Sequence, residues 1–230
     1  MVIQVVTLFP EMFDSVWGSS IIKRACMRGQ LKLTTVPLRP FGIGLHHMVD
    51  DYPFGGAVGM LMRADVVVPA VEWAIMHEAK PAHVVLTSPQ GQPFTQRLAE
   101  EFSHREHLII VAGHYEGIDD RVRVLLNAHE VSVGDVVLTG GEVPSMMMVD
   151  AVARLLPGVL GGIESTADDS FSRAQGWLEG PQYTRPIEYR HLKVPGVLTQ
   201  GNHAAISEYR DRMARCWTKQ RRPDLLKDHD

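Results

Sequence analysis

The chain is poor in cysteine: its 230 residues include two, Cys26 and Cys216. Neither belongs to a CxxC pair or a metal-ligand spacing, so a disulfide scaffold and a cysteine-based zinc site are both disfavoured. No apolar run approaches the roughly 20 residues of a membrane-spanning helix. The N-terminus has no basic segment followed by an apolar stretch, as a secretory signal would. A cytoplasmic chain with no membrane partner is expected. The sequence also lacks GxGxxG after its first strand, GxxxxGK[ST], GxSxG and HExxH. A Rossmann dinucleotide site, a P-loop, a serine-hydrolase elbow and a zinc-protease helix are thereby set aside. His46, His47 and Asp50 hint at a metal, but adjacent histidines on a loop seldom converge on one ion.

What is present is an ordinary globular balance, 45% hydrophobic and 22% charged, with a net charge of −4. The charge is unevenly spread. Residues 181–222 hold nine basic side chains against three acids, a local +6 in a chain whose remainder is −10. Such a segment can bind phosphates on a protein of acidic average, although charge alone favours a solvated helix face.

Strands are expected at residues 2–8, 31–38, 83–88, 107–112, 129–133 and 136–139. Helices are expected at 10–28, 64–80, 95–104, 119–127 and 142–156. Alternation of this kind implies a mostly parallel sheet with helices on both faces. Residues 39–60 form a long loop rich in glycine and proline, a length that is usually functional. After Pro157 the chain turns small and polar, with a helix capped by Asn202 expected at 202–220.

Two glycine-punctuated segments stand out: GHYEGIDDRV (113–122) and SVGDVVLTGGEVP (132–144). With the turn SPQG (88–91) they put three glycine-bearing loops at strand ends. A tight αβ turn explains any one of them; three together favour a ligand crevice at the carboxyl ends of the strands. Glycine lets backbone approach a ligand, and backbone amides and carbonyls can then read an adenine or ribose with little side-chain charge. Glu116 could face a cation or ribose hydroxyls. Arg154 near a helix end, and Asp168 and Asp169 before Ser170, have plain structural explanations on physics alone.

These segments occur with TLFPEMF (7–13), VDDYPFGGAVGMLM (49–62), PGVLG (157–161), DDSF (168–171), PQYTRP (181–186), VPGVLTQGNHAAI (194–206) and RRPDLL (221–226). In that order the set resembles the bacterial tRNA (guanine-N1)-methyltransferases, the TrmD family of the SPOUT superfamily. One departure is Ala57 in Gly55-Gly56-Ala57-Val58-Gly59-Met60, where the family usually has a third glycine.

The resemblance implies an α/β fold with a mostly parallel sheet, a C-terminal deep trefoil knot and a small helical C-terminal domain. The implied domains are a knotted S-adenosyl-L-methionine-binding unit at 1–160, a flexible linker at 161–170 and a tRNA-binding unit at 171–230. The implied reaction transfers a methyl group from S-adenosyl-L-methionine to N1 of guanosine at tRNA position 37. A homodimer with active sites between subunits is implied as well. Asp169 would be the general base and Arg154 the stabiliser of developing charge. The donor would be held by Leu86, Ser88, Pro89, Gly91, Gly113, Tyr115, Glu116, Gly117, Val133, Gly134, Asp135, Val136, Val137, Leu138, Gly140, Gly141 and Pro144. Mg2+ comes with the resemblance as a second cofactor, and the sequence shows no clear metal site for it. A relative acting on another RNA position, or a binding-only protein that has kept the fold, are the competing readings.

Overall fold

A computed structural model describes residues 1–160, 168–173 and 175–229. The chain divides into two compact units, residues 1–161 and 162–230.

The first unit is built on five parallel strands: β1 (Val2–Thr7), β2 (Lys32–Pro37), β5 (Ala82–Pro93), β6 (His107–Val111) and β7 (His129–Ser132), in the order β2-β1-β6-β5-β7. A two-stranded ribbon of β3 (Asp50–Asp51) and β4 (Leu61–Met62) stands beside it. The central strands read as near-continuous apolar runs, interrupted in β1 by the buried Gln4, because both of their faces are buried. Strand alternation splits them between two cores. Ile3, Val5, Leu108 and Ile110 face a core with α2 (Ser20–Met27), α4 (Gln96–Ser103) and α6 (Glu142–Ala153). Val6, Ile109 and Val111 face another, covered by α3 (Ala64–Met76) and α5 (Arg121–Leu125). Helix α3 meets it with a stripe of Val66, Val67, Ala70, Val71 and Ala74, the spacing of one helical face.

Two expectations are corrected. Residues 10–28 are not one helix: a 3-10 turn at Pro10–Phe13 leads into α1 (Asp14–Trp17), which stops at Gly18 before α2 begins. Ser19 Oγ donates to the Ser15 carbonyl at 2.6 Å, and Ser20 takes a left-handed φ of 47°, so local hydrogen bonding competes with the helix at this point. Residues 136–139 are not a strand. Val136 N donates to the Gly134 carbonyl at 2.8 Å in a tight turn, and Val136, Val137 and Leu138 stay exposed. Their apolar character belongs to a loop surface rather than to a sheet.

Phe102 on α4 is fully buried between His83, Phe94 and His129. Phe102→Ala is expected to cost about 3–5 kcal/mol, the usual result of removing a buried ring and leaving a cavity. Urea unfolding with an unchanged m value would check it.

In the second unit, β8 (Glu188–Tyr189) and β9 (Leu192–Lys193) form a hairpin whose turn residues Arg190 and His191 are both left-handed, at φ 49° and 68°. The 19-residue helix α7 (His203–Arg221) starts where Asn202 Oδ1 accepts from Ala205 N at 3.2 Å. Thr218 on α7 is buried; its hydroxyl donates to the Ala214 carbonyl at 2.8 Å and accepts from Leu178 N at 3.0 Å. That bond ties the chain entering the unit to its longest helix.

Candidate functional site

The parallel strands present their carboxyl ends on one side, where the irregular stretch of β5 from Thr87 to Gln92, the loop after β6 and the segment joining β7 to α6 enclose a crevice. Thr87 joins the first two. Its Oγ1 donates to the Val111 carbonyl at 3.1 Å and accepts from Gly113 N at 3.0 Å. Gly141 N then donates to the Gly113 carbonyl at 2.6 Å, bringing the third loop against the second. This approach needs glycine: a Cβ on Gly141 would lie 2.0 Å from Thr87 Oγ1 and 2.6 Å from Gly113 N.

The crevice is lined by Thr87, Ser88 and Pro89, which the structure places in the irregular stretch of β5 rather than in the separate turn expected at 88–91, by Gly113 through Gly117 from the loop after β6, and by Val131 to Val133, Val136 to Leu138, Gly140, Gly141 and Pro144 from the end of β7 to the first turn of α6. Thirteen of the seventeen residues expected to hold the donor line it. The other four lie outside the lining. Leu86 is buried in the core below, and Gly91 packs against the β7 backbone, where a Cβ would meet Val131 N at 2.4 Å. Gly134 takes φ 141° in the turn beside Asp135. Four lining residues are additions: Thr87, His114, Val131 and Ser132. Thr87 carried a weak signal, a hydroxyl at the end of the run Val84-Val85-Leu86. His114 and Ser132 lay inside motifs already singled out.

Charge in the crevice is sparse. Glu116 is the sole formally charged side chain among the lining residues, and no lysine or arginine is there. Glu116 is exposed, its backbone N donates to the Met60 carbonyl at 3.0 Å, and its Cγ would be 2.3 Å from a Cβ on Gly59. The glycine-rich loop therefore rests on the residue that carries the charge. In that loop the left-handed positions fall on Gly55, Gly56 and Gly59, at φ 88°, 77° and 96°; Ala57 is not among the residues of positive φ, so its Cβ is tolerated. Burial, helped by the nearby Asp50 carboxylate, pushes the Tyr115 phenol above its ordinary pKa, so the ring faces the crevice neutral.

Arg154 caps α6 in the first unit, its N donating to the Asp150 carbonyl at 3.1 Å. Asp169 lies in the second unit, in a turn held from several sides. Ser172 N donates to the Asp169 carbonyl at 3.1 Å, Phe171 N to the Trp177 carbonyl at 3.0 Å, and Glu179 N to Ser170 Oγ at 3.0 Å. Arg173 reaches Asp168 at 3.2 Å and Asp211 on α7 at 2.7 Å. The expected linker, 161–170, falls mostly on residues 161–167, outside the described residues.

A parallel α/β layer with a glycine-walled, nearly uncharged crevice at its strand ends has the arrangement in which open α/β sheets bind small ligands. A family model described as tRNA (Guanine-1)-methyltransferase TrmD matches residues 1–228, and the chain belongs to that family. It is similar to the tRNA (guanine-N(1)-)-methyltransferase of Moorella thermoacetica, with 52% identity over 97% of this chain and 89% of that one. The enzyme of the same name from Bacillus subtilis is 49% identical over 100% of this chain and 93% of its own.

Proposed function

We propose that this chain transfers the methyl group of S-adenosyl-L-methionine to N1 of guanosine at position 37 of tRNA. Beyond family membership, the observation that carries the reading is the charge of the crevice. A phosphate-bearing dinucleotide would call for basic side chains facing it, and the walls hold no lysine or arginine. A sulfonium and an ammonium call for the opposite, and Glu116 is the one formal charge on the walls. The backbone edges of the three loops suit an adenosine, and Val136, Val137 and Leu138 offer apolar contact.

When bound, S-adenosyl-L-methionine supplies an electrophilic methyl carbon. The chain's own task is to make guanine N1 a nucleophile and to align it. N1 carries a proton and attacks only as that proton leaves, which a carboxylate within hydrogen-bond reach can accept. Asp169 takes that role. Charge then develops toward guanine O6, where Arg154 acts as an oxyanion-type donor. The new N–C bond forms as the S–C bond breaks and its electron pair goes to sulfur. Holding nucleophile, carbon and sulfur in line is the rest of the catalysis. Among the described residues no group of three or more His, Cys, Asp or Glu could hold a metal. No step is routed through Mg2+.

The reading includes a deep trefoil knot, supported by the close passage of Gly141 past Thr87, Gly113 and Ala112. It includes a homodimer with active sites between subunits. The exposure of Tyr52, Phe54, Val124 and Leu125 on the first unit supports this, since apolar clusters of that kind mark interfaces. Residues 171–230 act as the tRNA-binding unit. Their basic surplus predicts affinity that falls as salt rises, which filter binding between 50 and 200 mM salt would read.

Methyl transfer from labelled S-adenosyl-L-methionine to a tRNA transcript with guanosines at positions 36 and 37 tests the function. Product at N1 of position 37, absent when that guanosine is replaced, is expected. Product at another nucleotide would move the assignment to a different RNA target.

A further inference from the structure

The residue beneath the crevice that the mechanism leaves unused is Glu142. It opens α6 and is 2% exposed, so its carboxylate needs internal partners. One oxygen has a full partner: Thr7 Oγ1, at the end of β1, donates to Glu142 Oε1 at 2.9 Å. The other, Oε2, faces His114 Nδ1 at 3.6 Å, just beyond hydrogen-bond reach. That nitrogen is sealed from solvent and has no hydrogen-bond partner. The same ring lines the crevice and packs on Phe9 and Tyr115, at 5.0 and 5.1 Å between centroids.

The space around this pair is closed. A Cβ on Gly140 would sit 2.4 Å from Glu142 Oε2 and 2.5 Å from His114 Nδ1, so the Gly140 backbone roofs the gap. An isolated β-bridge pairs His114 with Gly140 and fixes that roof. The partner within reach of Nδ1 is therefore Glu142. An inward shift of the ring by about half an ångström brings the two to ordinary hydrogen-bond length.

We propose that Glu142 is a positioning residue of the donor site. Anchored by Thr7, it holds His114 in the Nδ1–H form and draws the ring down, and this sets the Gly113–Gly117 loop that carries Tyr115 and Glu116. A donor in the crevice presses on the same ring and completes the contact. The inference rests on the functional reading above for the identity of the donor, while the pairing itself is a property of the protein without ligand.

The test combines nitrogen NMR of histidine-labelled protein with binding and kinetics of Glu142→Gln, His114→Asn, Thr7→Val and the Glu142–His114 double variant. In the unliganded wild type, His114 is expected as the Nδ1–H tautomer, and that signature is lost in Glu142→Gln. The dissociation constant and KM for S-adenosyl-L-methionine should rise about tenfold in Glu142→Gln, the scale of one hydrogen bond to a charged group. kcat at saturating donor should change less than threefold. The double variant should bind no more weakly than His114→Asn alone. Additive losses, or a wild-type ring in the Nε2–H form, would overturn the proposal. If Glu142→Gln does not fold, Thr7→Val carries the same tautomer and binding readouts. A wild type that shows the expected tautomer yet binds no donor would overturn the functional reading instead.

Discussion

Asp169→Asn is expected to slow methyl transfer by about 10²–10⁴-fold, the usual contribution of a general base. The substitution keeps the size of the side chain and most of its hydrogen bonding but cannot accept the N1 proton. Binding of S-adenosyl-L-methionine should stay within about twofold of wild type, because Asp169 is not among the residues lining the crevice. The surrounding turn should survive as well. The restraints named above come from the Asp169 carbonyl, Ser170, Phe171 and the Arg173 fork, and asparagine at 169 leaves each of those groups in place. Single-turnover rates at saturating donor and tRNA separate a lost proton transfer from weaker binding. An unimpaired rate would remove Asp169 as the base and leave the methyltransferase assignment standing on the family and the crevice.

Gly141→Ala is expected to be the most damaging single methyl group in the first unit. Its Cβ would stand 2.0 Å from Thr87 Oγ1, 2.6 Å from Gly113 N and 2.8 Å from the Ala112 Cα. Two of these three are backbone atoms, and Thr87 is itself pinned between Val111 and Gly113. None can swing away as the end of a long side chain would. Overpacking of this kind costs about 3 kcal/mol or more when the neighbours are fixed. The bond from Gly141 N to the Gly113 carbonyl, at 2.6 Å, would break with it. Gly134→Ala is the control. It has φ 141° but nothing within 4 Å of a new Cβ, so it carries backbone strain without a clash. Chemical denaturation should show Gly141→Ala far below Gly134→Ala in stability, with donor binding lost in the first. Equal stabilities would mean the loops can part, and would withdraw the close threading as support for a knot.

Much of this was legible in the order of residues. The apolar β-branched runs at residues 2–8 and 107–112 read as buried strands because parallel strands covered on both faces need no polar alternation. The crevice was legible because three glycine clusters at strand ends together favour a ligand site, and thirteen of the residues that the resemblance assigned to the donor line it. Residues 136–139 were misread for the same reason that the core strands were read correctly. Val136-Val-Leu138 has strand composition, yet no neighbouring strand edge pairs with it, and it became an apolar loop wall. The break after Trp17 was marked by Gly18-Ser19 but outweighed by the helical spacing on either side.

By itself the sequence determined the alternation of strands and helices, the positions of the glycine loops, the basic surplus of the second unit and the resemblance that led to the family. Those are local or cumulative properties, readable one segment at a time. The strand order β2-β1-β6-β5-β7 was decided only in three dimensions, since it depends on β1 pairing with the distant β6, Val2 beside His107. So was the meeting of Thr7, His114 and Glu142, which lie on β1, on the loop after β6 and on α6, and whose facing polar atoms are buried together only once those segments meet.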